Sequence, residues 1–333
     1  MLRMRASRGT WLPIAGLALL LAVPPAAFAL GEPYLVNILT RAVILAIAAV
    51  SLDFILGYGA LVSFGHAAFV GTGAYTVGIL AHHAQSGTPV FDGALGLAGT
   101  EAALLAWPAA IGVAALLALV IGSLSLRTRG LYFIMITLAF AQMTFFLLTS
   151  LERYGGDDGL ILWQRSQLPA LDTANPIHFY YLCLGLLVAF VVFLRRTVDA
   201  RFGRVLRGAA ENERRMHALG FPVYRYRLAA FVIAGAGAGL AGALLANQDT
   251  FVSPEMLNWR HSGELMIMVI LGGLGTLYGA VLGAIALILL EESLSAWTEH
   301  WMLFLGPVLI LVVLFARRGL YGWLSASLRG YDD

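Results

Sequence analysis

Apolar residues run through this chain in long blocks rather than in the short alternations of a soluble fold. A helix needs about 20 apolar residues to cross a bilayer. Seven runs approach or reach that length: Trp11 to Leu30, Tyr34 to Val50, Leu104 to Leu126, Leu131 to Leu148, Phe179 to Leu194, Leu228 to Ala246 and Trp301 to Ala316. Two more are broken by glycine, GYGALVSFGHAAFVGTGAYTVGIL from Gly57 to Leu80 and GELMIMVILGGLGTLYGAVLGAIALILL from Gly263 to Leu290. The expected fold is all-α and polytopic, with eight to ten membrane segments, some of them incomplete.

One polar stretch interrupts the pattern. Arg195 to Arg227 holds nine of the chain's 21 basic residues, against Asp199, Glu211 and Glu213. Arginines near span ends resist translocation, so this loop is expected on the cytoplasmic side. It divides a single transmembrane domain, 1–333, into a first half, 1–194, a cytoplasmic segment, 195–227, a second half, 228–318, and a short tail, 319–333. The segment is itself patterned as helix: Phe202, Val205, Leu206, Ala209 and Ala210 form one apolar stripe, with Arg201, Arg204 and Arg207 off it. Asn212 is placed to cap a second short helix, and Gly220 and Pro222 to end it. Met216 and Leu219 give that helix a small apolar edge among Glu213, Arg214, Arg215 and His217.

Composition agrees with the membrane reading. The chain is 60% hydrophobic and 12% charged, where soluble domains carry about 25% charged residues. Arginines at 3, 5 and 8, at 127 and 129, and at 317 and 318 mark further cytoplasmic faces. The first run also resembles a signal peptide; it is read here as a retained span. Counting crossings outward from Arg3, the faces alternate correctly until the second glycine-broken run. A single crossing there leaves Arg317 and Arg318 outside. The conflict disappears if Gly272, Gly273 and Gly275 turn the chain within the membrane, placing Ser295 outside. Such backbone is tolerated only inside protein or beside a watery cavity.

Candidate chemistry is sparse. Every basic residue is arginine, so no phosphate-binding G-x-x-x-x-G-K-[ST] loop exists. Cys183 is the only cysteine, which rules out a disulfide or a cysteine metal site within the chain. The histidines are scattered, no nucleophile and base share a recognisable spacing, and neither a catalytic nor a metal site is expected. Nothing in the pattern points to nucleic acid. Ionisable residues at membrane depth are costly and therefore candidates. Asp53 and Arg41 read as a structural pair or helix-end groups, and Glu264 as interfacial or capping a half-helix. His66 reads equally as a path residue or a hydrogen-bonded packing residue. The two glycine breaks read as equivalent points of an inverted repeat lining a midplane path. Ser63, Phe64, Gly65 and His66 are the candidates from one break, and Gly272, Gly273, Gly275, Thr276 and Tyr278 from the other.

Five blocks, taken in order, resemble a known family: LVSFGHAAFVGTGAY from Leu61, RGLYFIMITLAFAQM from Arg129, GRVLRGAAENERRMHALGFPVYRYRLAAFVIAGAGAGLAGALLA from Gly203, FVSPEMLNW from Phe251 and VILGGLGTLYGAVLGA from Val269. They are similar to the membrane permease of branched-chain amino-acid ABC importers, the LivM type. The resemblance implies a bacterial inner-membrane subunit that pairs with a second, LivH-like permease and receives leucine, isoleucine or valine from a periplasmic or lipid-anchored binding protein. It implies no cofactor on this chain, with ATP and Mg used by two separate ATP-binding subunits. It makes 195–227 the ATPase-coupling segment, with Phe202, Leu206, Asn212, Glu213, Arg215, Met216, Leu219 and Gly220 as its residues. Periodicity alone fits equally a helix docked in a protein groove and one lying on anionic lipid; the resemblance selects docking. A urea, amide or other amino-acid permease of the same family, and an ion-coupled secondary transporter, stay open as alternatives.

Overall fold

The computed structural model describes residues 11–31, 34–89, 99–169, 171–297, 300, 303–304, 306–307, 310 and 319–327. Most of the Trp301 to Ala316 run lies outside them, as do the arginines at 3, 5, 8, 317 and 318. The described chain is helical, in the order α1 (Trp11–Leu30), α2 (Tyr34–Leu56), α3 (His66–Ser86), α4 (Ala103–Ser125), α5 (Leu131–Thr149), α6 (Pro176–Asp199), α7 (Arg201–Glu211), α8 (Glu213–Ala218), α9 (Val223–Asp249), α10 (Trp259–Gly272) and α11 (Leu277–Ser295), with a last helix at Gly319–Ser327. Among the described residues, α2, α4, α5, α6, α9 and α11 are long and apolar enough to cross a membrane. Two short strands, β1 (Leu160–Ile161) and β2 (Phe251–Val252), pair antiparallel at one end of the bundle.

Helix α2 is the axis. Every residue from Ala42 to Ile55 is buried, as expected of a helix apolar all round and surrounded by others. Helix α9 packs beside it and meets α3 and α4 through small residues, which let backbones approach closely where lipid supplies no drive for helix association. A Cβ at Gly242 would overlap the Val70 carbonyl, one at Gly73 the Gly239 carbonyl, and one at Gly239 the Ala114 side chain. By contrast, α4 and α5 leave Leu116, Leu131, Met135, Met143 and Phe146 exposed, a surface suited to lipid.

Helix α1 joins through its prolines. Pro24 and Pro25 lack the N–H groups that would bond the carbonyls of Leu20 and Leu21. Tyr180 and Tyr181 of α6 donate their hydroxyls to those carbonyls instead, at 2.7 and 3.2 Å.

The glycine-broken runs resolve differently from one another. In the first, α2 stops at Leu56 and α3 starts only at His66, so Gly57 to Gly65 is irregular rather than part of one outgoing span. In the second, α10 begins at Trp259, with Asn258 Oδ1 accepting from Arg260 N, and ends at Gly272. Gly273 and Gly275 take φ of 118° and 71°, a region that costs any residue but glycine. The chain then reverses into α11, so the expected turn is present. Ser295 lines the same cleft as Tyr34 and Phe251, which puts both outer ends of the α10–α11 hairpin at the strand-bearing end. By Gly319 the chain is back at the opposite end, where a Cβ would overlap Gly273. A cysteine placed at Ser295 is expected to react with a membrane-impermeant maleimide from the same side as one at Tyr34. Labelling only from the side that labels a cysteine at Arg215 contradicts the hairpin.

Candidate functional site

Two polar regions stand at opposite ends of the bundle. At the basic end, Ala200 is extended and breaks α6 from α7. The apolar stripe faces inward as its spacing requires: Val205, Leu206 and Ala209 are buried, and Phe202 stacks on Phe54 of α2 at 6.4 Å and lies 5.5 Å from Tyr226. Asn212 ends α7 and caps α8, its Oδ1 accepting from Arg215 N at 3.0 Å. Gly220 follows with φ 84°. Glu213 is the electrostatic hub, 3.0 Å from Arg129 at the α4–α5 turn, 2.9 Å from Arg227 on α9 and 3.6 Å from His217. Arg227 also donates to the Ala209 carbonyl at 3.2 Å. These bonds hold α7 and α8 as a rigid cap on the bundle.

One expectation about the cap is corrected. Met216 is not on an outer apolar edge: it is 8% exposed and packs with Val205, Ala209 and Val223, because α8 folds back and lays this one side chain against α7. Leu219, at 64%, is left exposed among Arg214, Arg215 and His217. It is the exposed apolar point on the cap's outer face.

The last turns of α6, which lead into the cap, are tied to the glycine turn. Arg195 Nη1 donates to Tyr278 Oη at 2.7 Å, and its guanidinium lies 5.8 Å from the Tyr278 ring. Tyr278 stacks on Tyr321 at 6.4 Å. Gly275 N donates to Asp53 Oδ1 at 2.7 Å, and Thr276 Oγ1 donates to the Gly273 carbonyl. A Cβ at Gly272 would overlap the Gly279 carbonyl. Asp53 therefore fixes the turn. It does not pair with Arg41, since twelve residues along one helix separate them by about 18 Å.

The other break is buried inside the protein. Ser63 and His66 have no exposed surface. Ser63 Oγ accepts from Gly65 N, Phe64 N donates to Thr137 Oγ1, and Ala67 N donates to Ser262 Oγ. Ser51 Oγ donates to the Ala48 carbonyl, so it accepts the Nε2 proton of His66 at 2.7 Å. Phe69 meets the His66 ring edge-on at 5.7 Å. His66 is thus enclosed and bonded through Nε2, while its Nδ1 is buried without a hydrogen-bond partner among the described residues. The two breaks touch at one end, where a Cβ at Gly57 would overlap Gly275, while the other end of the first, Ser63 to His66, is enclosed by α2, α5 and α10.

At the strand-bearing end, α2, α9, α10 and α11 enclose an open cleft of about 690 Å³. Arg41, Asp249, His261, Glu264 and Glu291 face it. Glu264 neither caps α10 nor stands alone; its Oε2 lies 2.7 Å from His261 Nδ1. The cost of charge at membrane depth flagged Arg41 and Glu264 separately, but their shared cleft depends on packing α2 against α10 and α11. Asp249 and Glu291 lie near helix ends, where a charge is unremarkable in sequence. Among the described residues, no group of three or more His, Cys, Asp or Glu side chains could hold a metal ion.

An all-α bundle of apolar helices, with a rigid basic cap at one end and a polar cleft at the other, is the architecture of a multi-pass membrane permease. The chain belongs to the family described as the permease component of the branched-chain amino acid transport system, whose model matches residues 34–313. It is 29% identical over 86% of its length to the high-affinity branched-chain amino acid transport system permease protein LivM of Escherichia coli K12, covering 69% of that protein. The probable branched-chain amino acid transport permease protein LivM of Methanocaldococcus jannaschii is 26% identical over 81% of this chain and 85% of its own. The LivH permease protein of the same E. coli system is 30% identical over 41% of this chain and 46% of its own. No solved structure matches the chain.

Proposed function

We propose that this chain is the membrane permease subunit of an ATP-driven importer for branched-chain amino acids, inserted in the cytoplasmic membrane with α7 and α8 inside. The observation that carries the reading is the alignment with LivM across 86% of the chain, including the whole basic cap. Because LivM and LivH are both permease proteins of one E. coli system and both resemble this chain, a second, non-identical permease subunit is the expected partner. Two ATP-binding subunits, which carry ATP and Mg, dock on the cap. A binding protein outside delivers leucine, isoleucine or valine. Reconstituted with those partners in liposomes, the chain is expected to support leucine-stimulated ATP hydrolysis and leucine uptake that stops when ATP is withheld. Uptake that persists without ATP and follows an ion gradient contradicts the proposal.

A further inference from the structure

We infer that the cleft between α2, α9, α10 and α11 is the outward-facing station for a zwitterionic aliphatic substrate, with Arg41 receiving the carboxylate and Glu291 and Asp249 the ammonium group. The inference rests on the import reading above.

The first support is position. Arg41 lies seven residues into α2, about 10 Å along the helix from its outer end, and Glu291 lies four residues before the end of α11. Charges at such depth face a cavity rather than lipid, and both face this one.

The second is how the charges are left. Glu264 has His261, and Glu213 at the far end has two arginines. Arg41, Asp249 and Glu291 face one cleft, yet no side-chain hydrogen bond or ion pair ties any of them among the described residues. Opposite charges held apart across a gap suit a ligand that carries both signs. A guanidinium binds a carboxylate through two parallel hydrogen bonds, and two carboxylates can share the three protons of an ammonium group.

The third is the remaining wall. Ile38, Leu245, Met256 and Ile288 line the same cleft and offer an apolar surface for an aliphatic side chain. Glu255, Arg260, Glu264 and Glu292 also line it, so this surface is an apolar patch in a mostly polar cleft, in a volume that suits a small molecule.

The test uses the complete transporter in liposomes. Leucine uptake by the unaltered complex reports on the import reading; its absence removes that reading and this inference together. Given uptake, Arg41→Gln and Glu291→Gln are each expected to lower it about tenfold or more, the usual cost of losing a charged hydrogen bond. Arg41→Lys is expected to retain more uptake than Arg41→Gln. Glu101→Gln, at the same end but bonded to Gln85 and Gln164, is expected to leave uptake unchanged. Wild-type uptake in both glutamine variants, or an equal loss in Glu101→Gln, overturns the assignment. A second arm works on assembled protein. Cys183 is fully buried, so Ser295→Cys supplies an accessible thiol at the rim, and a bulky maleimide there is expected to block uptake. Full labelling with undiminished uptake overturns the assignment equally.

Discussion

Leu219→Asp is expected to leave the permease folded and membrane-inserted while cutting leucine-stimulated ATP hydrolysis and uptake by about tenfold or more, as removal of an interface anchor does. Leu219 is exposed, so the change costs the isolated subunit little. Placed in a groove of an ATP-binding subunit, the same carboxylate is buried without a partner. Met216→Asp gives the contrasting result. Its side chain lies inside the cap, against Val205, Ala209 and Val223, so a buried charge there loosens α8 itself. The expected sign is protease cleavage within 200–222 in the subunit alone, which Leu219→Asp does not show. Measuring stimulated ATP hydrolysis and limited proteolysis on both variants separates the roles. Equal behaviour in the two assays contradicts the division between an inner and an outer apolar residue.

Gly242→Leu is expected to prevent stable folding. Helices α3 and α9 touch through Gly73, Gly239 and Gly242, and the first added carbon at Gly242 already overlaps the Val70 carbonyl. Backbone cannot rotate away as a side chain can, so relief requires the helices to separate. Overpacking costs about 1–3 kcal/mol and occasionally more, a large part of the total stability of most domains, and a backbone clash as close as this lies at the upper end. The expected measurement is loss of the monodisperse peak in detergent and a fall in Tm. Gly112→Leu is the control, since a Cβ at Gly112 meets nothing within 4 Å. Equal stability of the two variants contradicts the close crossing of α3 and α9.

The pattern of the chain made the helices legible because each apolar run must satisfy its own backbone in hydrocarbon. The cap was also legible: the stripe at Phe202, Val205, Leu206 and Ala209 faces inward, Asn212 caps and Gly220 terminates. The turn at Gly273 and Gly275 followed from counting charges across the membrane, a constraint that local sequence cannot override. What periodicity could not supply was the partner of each polar group. Asp53 is fixed by Gly275 N, 222 residues away in sequence, so no local spacing points to it. Met216 and Leu219 are both apolar and one turn apart; only the packing of α7 and α9 shows that one is covered and the other is not. The charged lining of the cleft was missed for a related reason. Glycine marks a break in a helix, but not the depth at which neighbouring helices hold it. Ser63 and His66 are enclosed by α2, α5 and α10, whereas the cleft gathers charges from three separate runs.

In the proposed function, the basic cap receives the ATP-binding subunits and would pass their movement to the bundle. Two links join it there, Phe202 on Phe54 and Glu213 between Arg129 and Arg227, and Arg195 at the end of α6 bonds Tyr278 beside it. The most direct measurement is site-specific photocrosslinking in the assembled transporter, with the photoreactive group at Leu219 and, as reference, at Met216. The account predicts an adduct between Leu219 and an ATP-binding subunit and only intramolecular adducts from Met216; a Leu219 probe that couples to lipid and to no subunit contradicts it.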